Sequence, residues 1–186
     1  LIFFLIRALP DDQYIAYSTG LTIATVAMQL LSGWIASSVA YFTPLARDRD
    51  QFHRLIVFST CLFAILAAAA AAIVTFLVMQ SWQLTIAVSA VCFAQAWFAA
   101  VSAICQAERR LVLQLWMALA LCSALIIGVG VLLDASGAGS WSALWAVALA
   151  YGSASCIFLI AGVIPLRNNL RSTNPSHRSS FRQLLN

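Results

Sequence analysis

Charged residues are scarce in this chain, and lysine is absent. Only 9% of its 186 residues are charged and 63% are hydrophobic, with a mean hydropathy of +0.94. A typical soluble domain carries about 25% charged residues, so the composition predicts an integral membrane protein. The formal net charge of +4 rests on arginines alone. Because they lie in short segments between apolar runs, positive-inside topology explains them better than binding to nucleic acid.

The chain also lacks the residue patterns of common catalytic and metal sites. It has no Gly-rich phosphate loop and no Ser/His/Asp set on one side of the predicted membrane. Its two histidines stand apart, and its five cysteines lie within or at the edges of apolar runs, none spaced C-x-x-C. We therefore expect no enzymatic activity, no cofactor and no bound metal, and we interpret the cysteines as small packing residues.

The clearest membrane span is Leu55–Met79, which contains no charged residue. About 25 residues at 1.5 Å each give a helix long enough for a hydrocarbon core of about 30 Å. Its only polar side chains are Ser59, Thr60 and Thr75, so we expect it to face lipid or packed helices and to line no cavity.

The remaining apolar runs divide the chain into an all-α, polytopic transmembrane bundle. The predicted elements are a truncated first span at about 1–9, complete spans at about 14–43, 55–79, 84–105, 111–133 and 141–166, and a polar linker at 167–186. Pro10 with Asp11 and Asp12 is typical of a helix start. Nine of the ten arginines fall in 46–54, 106–110 and 167–186, and only Arg7 falls on the other side. This asymmetry places those three segments in the cytoplasm.

One predicted span carries a polar stripe. Spacings of 4, 3, 4 and 3 residues place five polar side chains on one helical face, and these are Ser18, Thr22, Thr25, Gln29 and Ser32. Such a face is unfavourable against lipid. It indicates either the wall of a hydrated cavity or hydrogen bonding to a neighbouring helix.

Three further polar residues lie at or within the spans. Arg7 either snorkels to the interface or pairs with Asp11 or Asp12, or else it contacts an anion at the mouth of a cavity, where its planar fork suits phosphate. For Gln95 and Gln114 we predict that each donates a hydrogen bond between helices, with contact to a ligand as the alternative.

Several segments together resemble the polysaccharide flippases, the O-antigen type of the multidrug/oligosaccharidyl-lipid/polysaccharide exporter superfamily. That family often has a first extracytoplasmic turn of the form Leu-Gly-Pro-Glu-Glu-Tyr-Gly, and residues 9–14 read Leu-Pro-Asp-Asp-Gln-Tyr, without the glycines. Residues 107–110, Ala-Glu-Arg-Arg, are similar to the family's segment before its fifth span, and 167–182 is similar to its basic linker between two six-helix halves.

The resemblance implies the first lobe of a two-lobe exporter with alternating access, missing its second half. In that family the first two helices of each lobe line a central cavity, which favours the cavity interpretation of the stripe. The implied partners are membrane lipid and a lipid-linked oligosaccharide that is flipped across the inner membrane of a bacterium. Candidate cavity residues are then Arg7, Ser18, Thr22, Thr25, Gln29 and Ser32.

Three other functions stay open at this point. A drug or metabolite exporter of the same superfamily would be favoured by an acidic residue in a cavity-lining helix of the other half. A membrane-embedded glycosyltransferase or polymerase would need a sizeable extracytoplasmic loop, and the predicted loops at 80–83 and 134–140 are short. A membrane scaffold would need no cavity.

Overall fold

The structure, a computed structural model, describes residues 9–42, 49–134 and 139–171, with side chains for 9–39, 41–42, 54–128, 130–131 and 139–157. In these ranges the regular elements are six α-helices, namely α1 (Asp11–Leu31), α2 (Gly33–Phe42), α3 (Arg49–Met79), α4 (Trp82–Ala107), α5 (Leu111–Asp134) and α6 (Ser140–Arg171). Arg7 and most of the predicted first span lie outside the described residues, as does the linker beyond Arg171.

The prediction of an all-α transmembrane bundle is confirmed. Four stretches of the described helices are long and apolar enough to cross a membrane, and these are Asp11–Leu31, Arg54–Met79, Trp82–Ala107 and Leu111–Gly128. The predicted span at 141–166 falls within α6, whose side chains are described as far as Ile157. The chain is therefore a multi-pass membrane protein.

The second predicted span is not one helix, because it breaks at Ser32. The N–H of Ser32 still donates to Met28 O at 2.8 Å, but the N–H of Ile35 donates to Ser32 O, only three residues back. Side chains satisfy carbonyls at the end of α1, since Ser32 Oγ donates to Met28 O and Trp34 Nε1 donates to Leu31 O. These bonds offset part of the cost of interrupting a helix within a membrane.

The centre of the bundle is α4, rather than the more hydrophobic α3. Helix α4 contacts α1, α2, α3, α5 and α6, and along its length Ala87, Val88, Val91, Cys92 and Cys105 are completely buried. Hydropathy alone does not identify the central helix in a membrane protein, because lipid is as apolar as a packed helix.

Helix α3 presents a narrow face of small residues to the bundle. Its fully buried positions are spaced 4, 3, 4 and 4 residues apart, and they are Thr60, Ala64, Ala67, Ala71 and Thr75. Small side chains allow helix backbones to approach closely, which is how membrane helices gain van der Waals contact without a hydrophobic driving force. Its large residues, such as Phe58 and Leu77, are exposed on the outside of the bundle.

Short turns make successive helices run in opposite directions. Gln80 and Ser81 join α3 to α4, and residues 108–110 join α4 to α5. The two turns contain left-handed residues, Gln80 with φ 51° and Arg109 with φ 57°. Consistent with this alternation, Ile56 near the start of α3 packs with Ile104 near the end of α4. The arginines at 109–110 and Arg54 therefore lie toward the same end of the bundle, as the topology prediction requires.

Candidate functional site

A cavity of about 750 Å³ lies between helices α1, α2, α4, α5 and α6. This volume is within the range of about 300–1,000 Å³ typical of small-molecule sites. Its wall combines amide and hydroxyl groups with aromatic and aliphatic side chains. The polar and aromatic lining residues are Tyr17, Thr25, Gln29, Ser37, Gln95, Phe98, Ser102, Gln106 and Tyr151.

The polar stripe of α1 does not face a single environment. Thr25 and Gln29 line the cavity, whereas Thr22 lines an apolar groove of about 390 Å³ between α1 and α3. Ser18 and Ser32 are not among the residues that line the cavity, and Ser32 is buried at the helix break. Side chains spaced three and four residues apart cover an arc of the helix that is wide enough to reach both the groove and the cavity. Only part of the stripe therefore lines the cavity.

The hydroxyls of the stripe bond back to their own helix. Thr22 Oγ1 donates to Ser18 O at 2.8 Å, Thr25 Oγ1 donates to Leu21 O at 2.9 Å, and Ser18 Oγ donates to Ile15 O at 3.0 Å. Their protons are therefore used, and what Thr25 presents to the cavity is an oxygen with free lone pairs.

Gln29 stands where the cavity meets the break between α1 and α2. A Cβ built on Gly33 would lie 3.6 Å from Gln29 Oε1, which places this amide oxygen beside the start of α2. Ala36 and Ser37 of α2 line the same cavity. The interruption at Ser32 thus brings an amide of α1 and a hydroxyl of α2 to one wall.

The two glutamines of the later spans differ from each other. Gln114 forms the predicted bond between helices, since its Nε2 donates to Ser102 Oγ at 3.1 Å and joins α5 to α4. Gln95 forms no such bond, so the prediction of an interhelical hydrogen bond is wrong for Gln95 in the described part of the chain. Gln95 is only 6% exposed, it lines the cavity, and its Oε1 has no hydrogen-bond partner there.

An aromatic surface was missed from the sequence. Phe98 of α4 and Tyr151 of α6 meet edge to face with ring centroids 5.4 Å apart, and both line the cavity together with Tyr17 of α1. A signal was available in α4, because Gln95, Phe98, Ser102 and Gln106 recur every three or four residues. A search for polar residues alone does not reveal this stripe, because it combines polar residues with an aromatic one.

The cavity is deep at one end and open at the other. Tyr17, Gln95 and Val147 are buried, whereas Gln29, Ser37 and Gln106 are exposed. Gln106 lies in the last turn of α4, two residues before Glu108. The open end is therefore the end that carries Arg109 and Arg110, which is the predicted cytoplasmic end.

Helix α3 borders the apolar groove rather than this cavity. Ala70, Ala71 and Val74 face Val26 and Leu30 of α1 across the groove. The prediction was that Leu55–Met79 faces lipid or packed helices and lines no cavity; no α3 residue with a described side chain lines the cavity of about 750 Å³, and three residues of α3 border the apolar groove. Among the described residues, no group of three or more His, Cys, Asp or Glu is placed to hold a metal ion.

No protein-family model, curated protein or solved structure matches this chain.

Proposed function

We propose that this chain is one lobe of a transporter that carries a lipid-linked oligosaccharide across the inner membrane of a bacterium by alternating access. The observation that supports it best is a cavity of about 750 Å³, lined in part by amides and hydroxyls, inside a bundle of apolar helices. Polar groups within membrane spans are costly and mark the pathways of substrates and ions. The proposal requires binding and release, with no covalent chemistry.

The helix break supports the same proposal. In many transporters, interrupted helices place polar groups at the substrate site near the middle of the membrane. Here the break at Ser32 separates α1 from α2, and Gln29 and Ser37 on either side of it both line the cavity. An uninterrupted helix, with every backbone group hydrogen-bonded, has the lower free energy in lipid. A break beside a polar cavity is therefore typical of a functional site.

The open end of the cavity defines the starting state of the proposed transport cycle. Arginine asymmetry predicts a cytoplasmic location for 106–110, and the cavity opens at that end beside Gln106. With that topology the cavity would be open to the inner leaflet, where a lipid-linked precursor would enter. Closure at this end and opening at the Tyr17 end would release it to the other leaflet.

The proposal is tested in spheroplasts of the bacterium that encodes the chain, with a glycosidase that cannot cross the membrane. We expect loss of the full-length protein to lower the cleavable fraction of carrier-linked sugar while the total rises. Gln29→Leu should act in the same direction, because it removes an amide from the cavity and keeps a similar volume.

The matched control for Gln29→Leu is Gln83→Leu, which makes the same change at an exposed position outside the cavity. It should leave the cleavable fraction unchanged. A cleavable fraction that is the same with and without the full-length protein would overturn the proposal.

A further inference from the structure

Among the residues that the structure describes, the cavity wall carries no charge. Each lining residue described is apolar, aromatic, or a neutral amide or hydroxyl. Transferring a diphosphate into such a site is very costly unless cations pair with it, and proteins supply that pairing with Arg or Lys. The chemistry of this wall therefore suits an uncharged ligand.

The polar groups of the wall offer both donors and acceptors. Ser102 Oγ accepts a bond from Gln114 Nε2, which leaves its own proton free to donate, and Thr25 Oγ1 has donated its proton to Leu21 O and can only accept. The amides of Gln29, Gln95 and Gln106 can each do both. A polyhydroxyl molecule has matching groups, because each of its hydroxyls donates and accepts.

Gln95 is the buried amide of the cavity wall. Its Oε1 has no protein partner in the described part of the chain, so it is available as an acceptor for a group in the cavity. Its terminal torsion is soft, so a small rotation turns either end of the amide toward the cavity. The neighbouring Phe98–Tyr151 pair supplies an apolar surface that suits the C–H face of a sugar ring.

We infer that this cavity binds the neutral carbohydrate portion of the carried molecule, with the Gln95 amide as a hydrogen-bonding partner and the Phe98–Tyr151 pair as its apolar contact. The diphosphate then lies outside this cavity. The inference rests on the proposed function for the identity of the carried molecule, but binding of free sugar at this site can be measured without transport.

The test is saturation-transfer NMR on the full-length protein in lipid nanodiscs. The probes are maltotriose, chitotriose and a fucose-containing trisaccharide as neutral saccharides, with sodium pyrophosphate as the charged probe followed by its phosphorus linewidth. We expect transfer to at least one neutral saccharide and no broadening of pyrophosphate that depends on the cavity. Gln95→Leu should weaken saccharide binding roughly tenfold, the loss of about one hydrogen bond.

Two further variants serve as controls for this measurement. Gln83→Leu makes the same change on α4 at an exposed position outside the cavity, and it should bind as the wild type does. Gln95→Leu should fold, because the amide oxygen it removes has no protein partner among the described residues; if its Tm nevertheless falls, Gln95→Met replaces it as a flexible apolar residue of similar length.

The outcomes separate the inference from the proposed function. Saccharide binding that is lost in Gln95→Leu supports the inference, even if the protein fails to flip a lipid-linked oligosaccharide. Flipping by the wild type with no transfer to any neutral saccharide, or with transfer unaffected by Gln95→Leu, overturns the inference and leaves the proposed function in place. Binding of pyrophosphate that requires Gln95 also overturns it.

Discussion

Gly20 of α1 packs against α4 and α6, and we predict that Gly20→Ala destabilises the protein. A Cβ at this position would lie 2.8 Å from Val88 Cγ2 of α4 and 3.3 Å from Leu144 Cδ1 of α6. Both neighbours are completely buried, and valine is stiff at χ1. Neither side chain has room to retreat, so the helices must move apart.

Two opposing effects set the magnitude. Overpacking a well-packed core costs about 1–3 kcal/mol, and alanine gains back about 1 kcal/mol over glycine in a helix. The net loss is then on the order of 1 kcal/mol, which lowers Tm by about 2–4 °C for a chain of this size.

Thermal unfolding in detergent, followed by tryptophan fluorescence, measures this change. The matched control is Gly152→Ala in α6, where a Cβ meets nothing within 4 Å, so only the helix preference acts and Tm should rise. In a Val88→Ala background, Gly20→Ala should lose its penalty. If both glycine variants raise Tm equally, the close approach of α1 to α4 is refuted.

Three further predictions follow from the turns, the interhelical bond and the topology. Gln80→Gly should raise the free energy of unfolding by about 1 kcal/mol, because Gln80 has φ 51° and glycine adopts that conformation without strain; an unchanged Tm would argue against this turn. Gln114→Leu should cost about 0.6 kcal/mol by loss of its bond to Ser102, and adding Ser102→Ala should cost little more, whereas fully additive losses would mean that the two residues do not interact. Cysteines at Ser136 and Ser176, in a background without other cysteines, should be labelled from opposite sides of the membrane, and labelling of both from one side would contradict the topology.

Much of the fold is predictable because the apolar runs at about 55–79, 84–105 and 111–133 are each long enough to span a membrane. Pro10, Asp11 and Asp12 mark the start of α1 as predicted. The unequal distribution of arginines predicts which turns lie on the same side of the membrane. The break at Ser32 was not predicted, because Ser32 and Gly33 lie within an apolar stretch with no proline or charge. Nor does the sequence single out α4 as the central helix, since lipid-facing and helix-facing residues are equally apolar.

The candidate site was predicted only in part, for a related reason. The polar stripe directs attention to α1, and two of its five residues, Thr25 and Gln29, line the cavity. Which side of a polar arc faces the cavity depends on how α1 rotates against its neighbours, and Gly20 fixes that rotation through contact with Val88 and Leu144. That contact joins residues far apart in the chain, so periodicity within one helix cannot reveal it.

The central claim is that the protein carries a lipid-linked oligosaccharide between leaflets. The most direct measurement is dithionite reduction of a fluorescent polyprenyl-diphosphate oligosaccharide in proteoliposomes that contain the full-length protein. We expect reduction to proceed beyond the outer-leaflet fraction, at a rate well above that of empty vesicles and slowed by Gln29→Leu but not by Gln83→Leu. Reduction that stops at the outer-leaflet fraction, with an ion gradient in either direction, would contradict the claim.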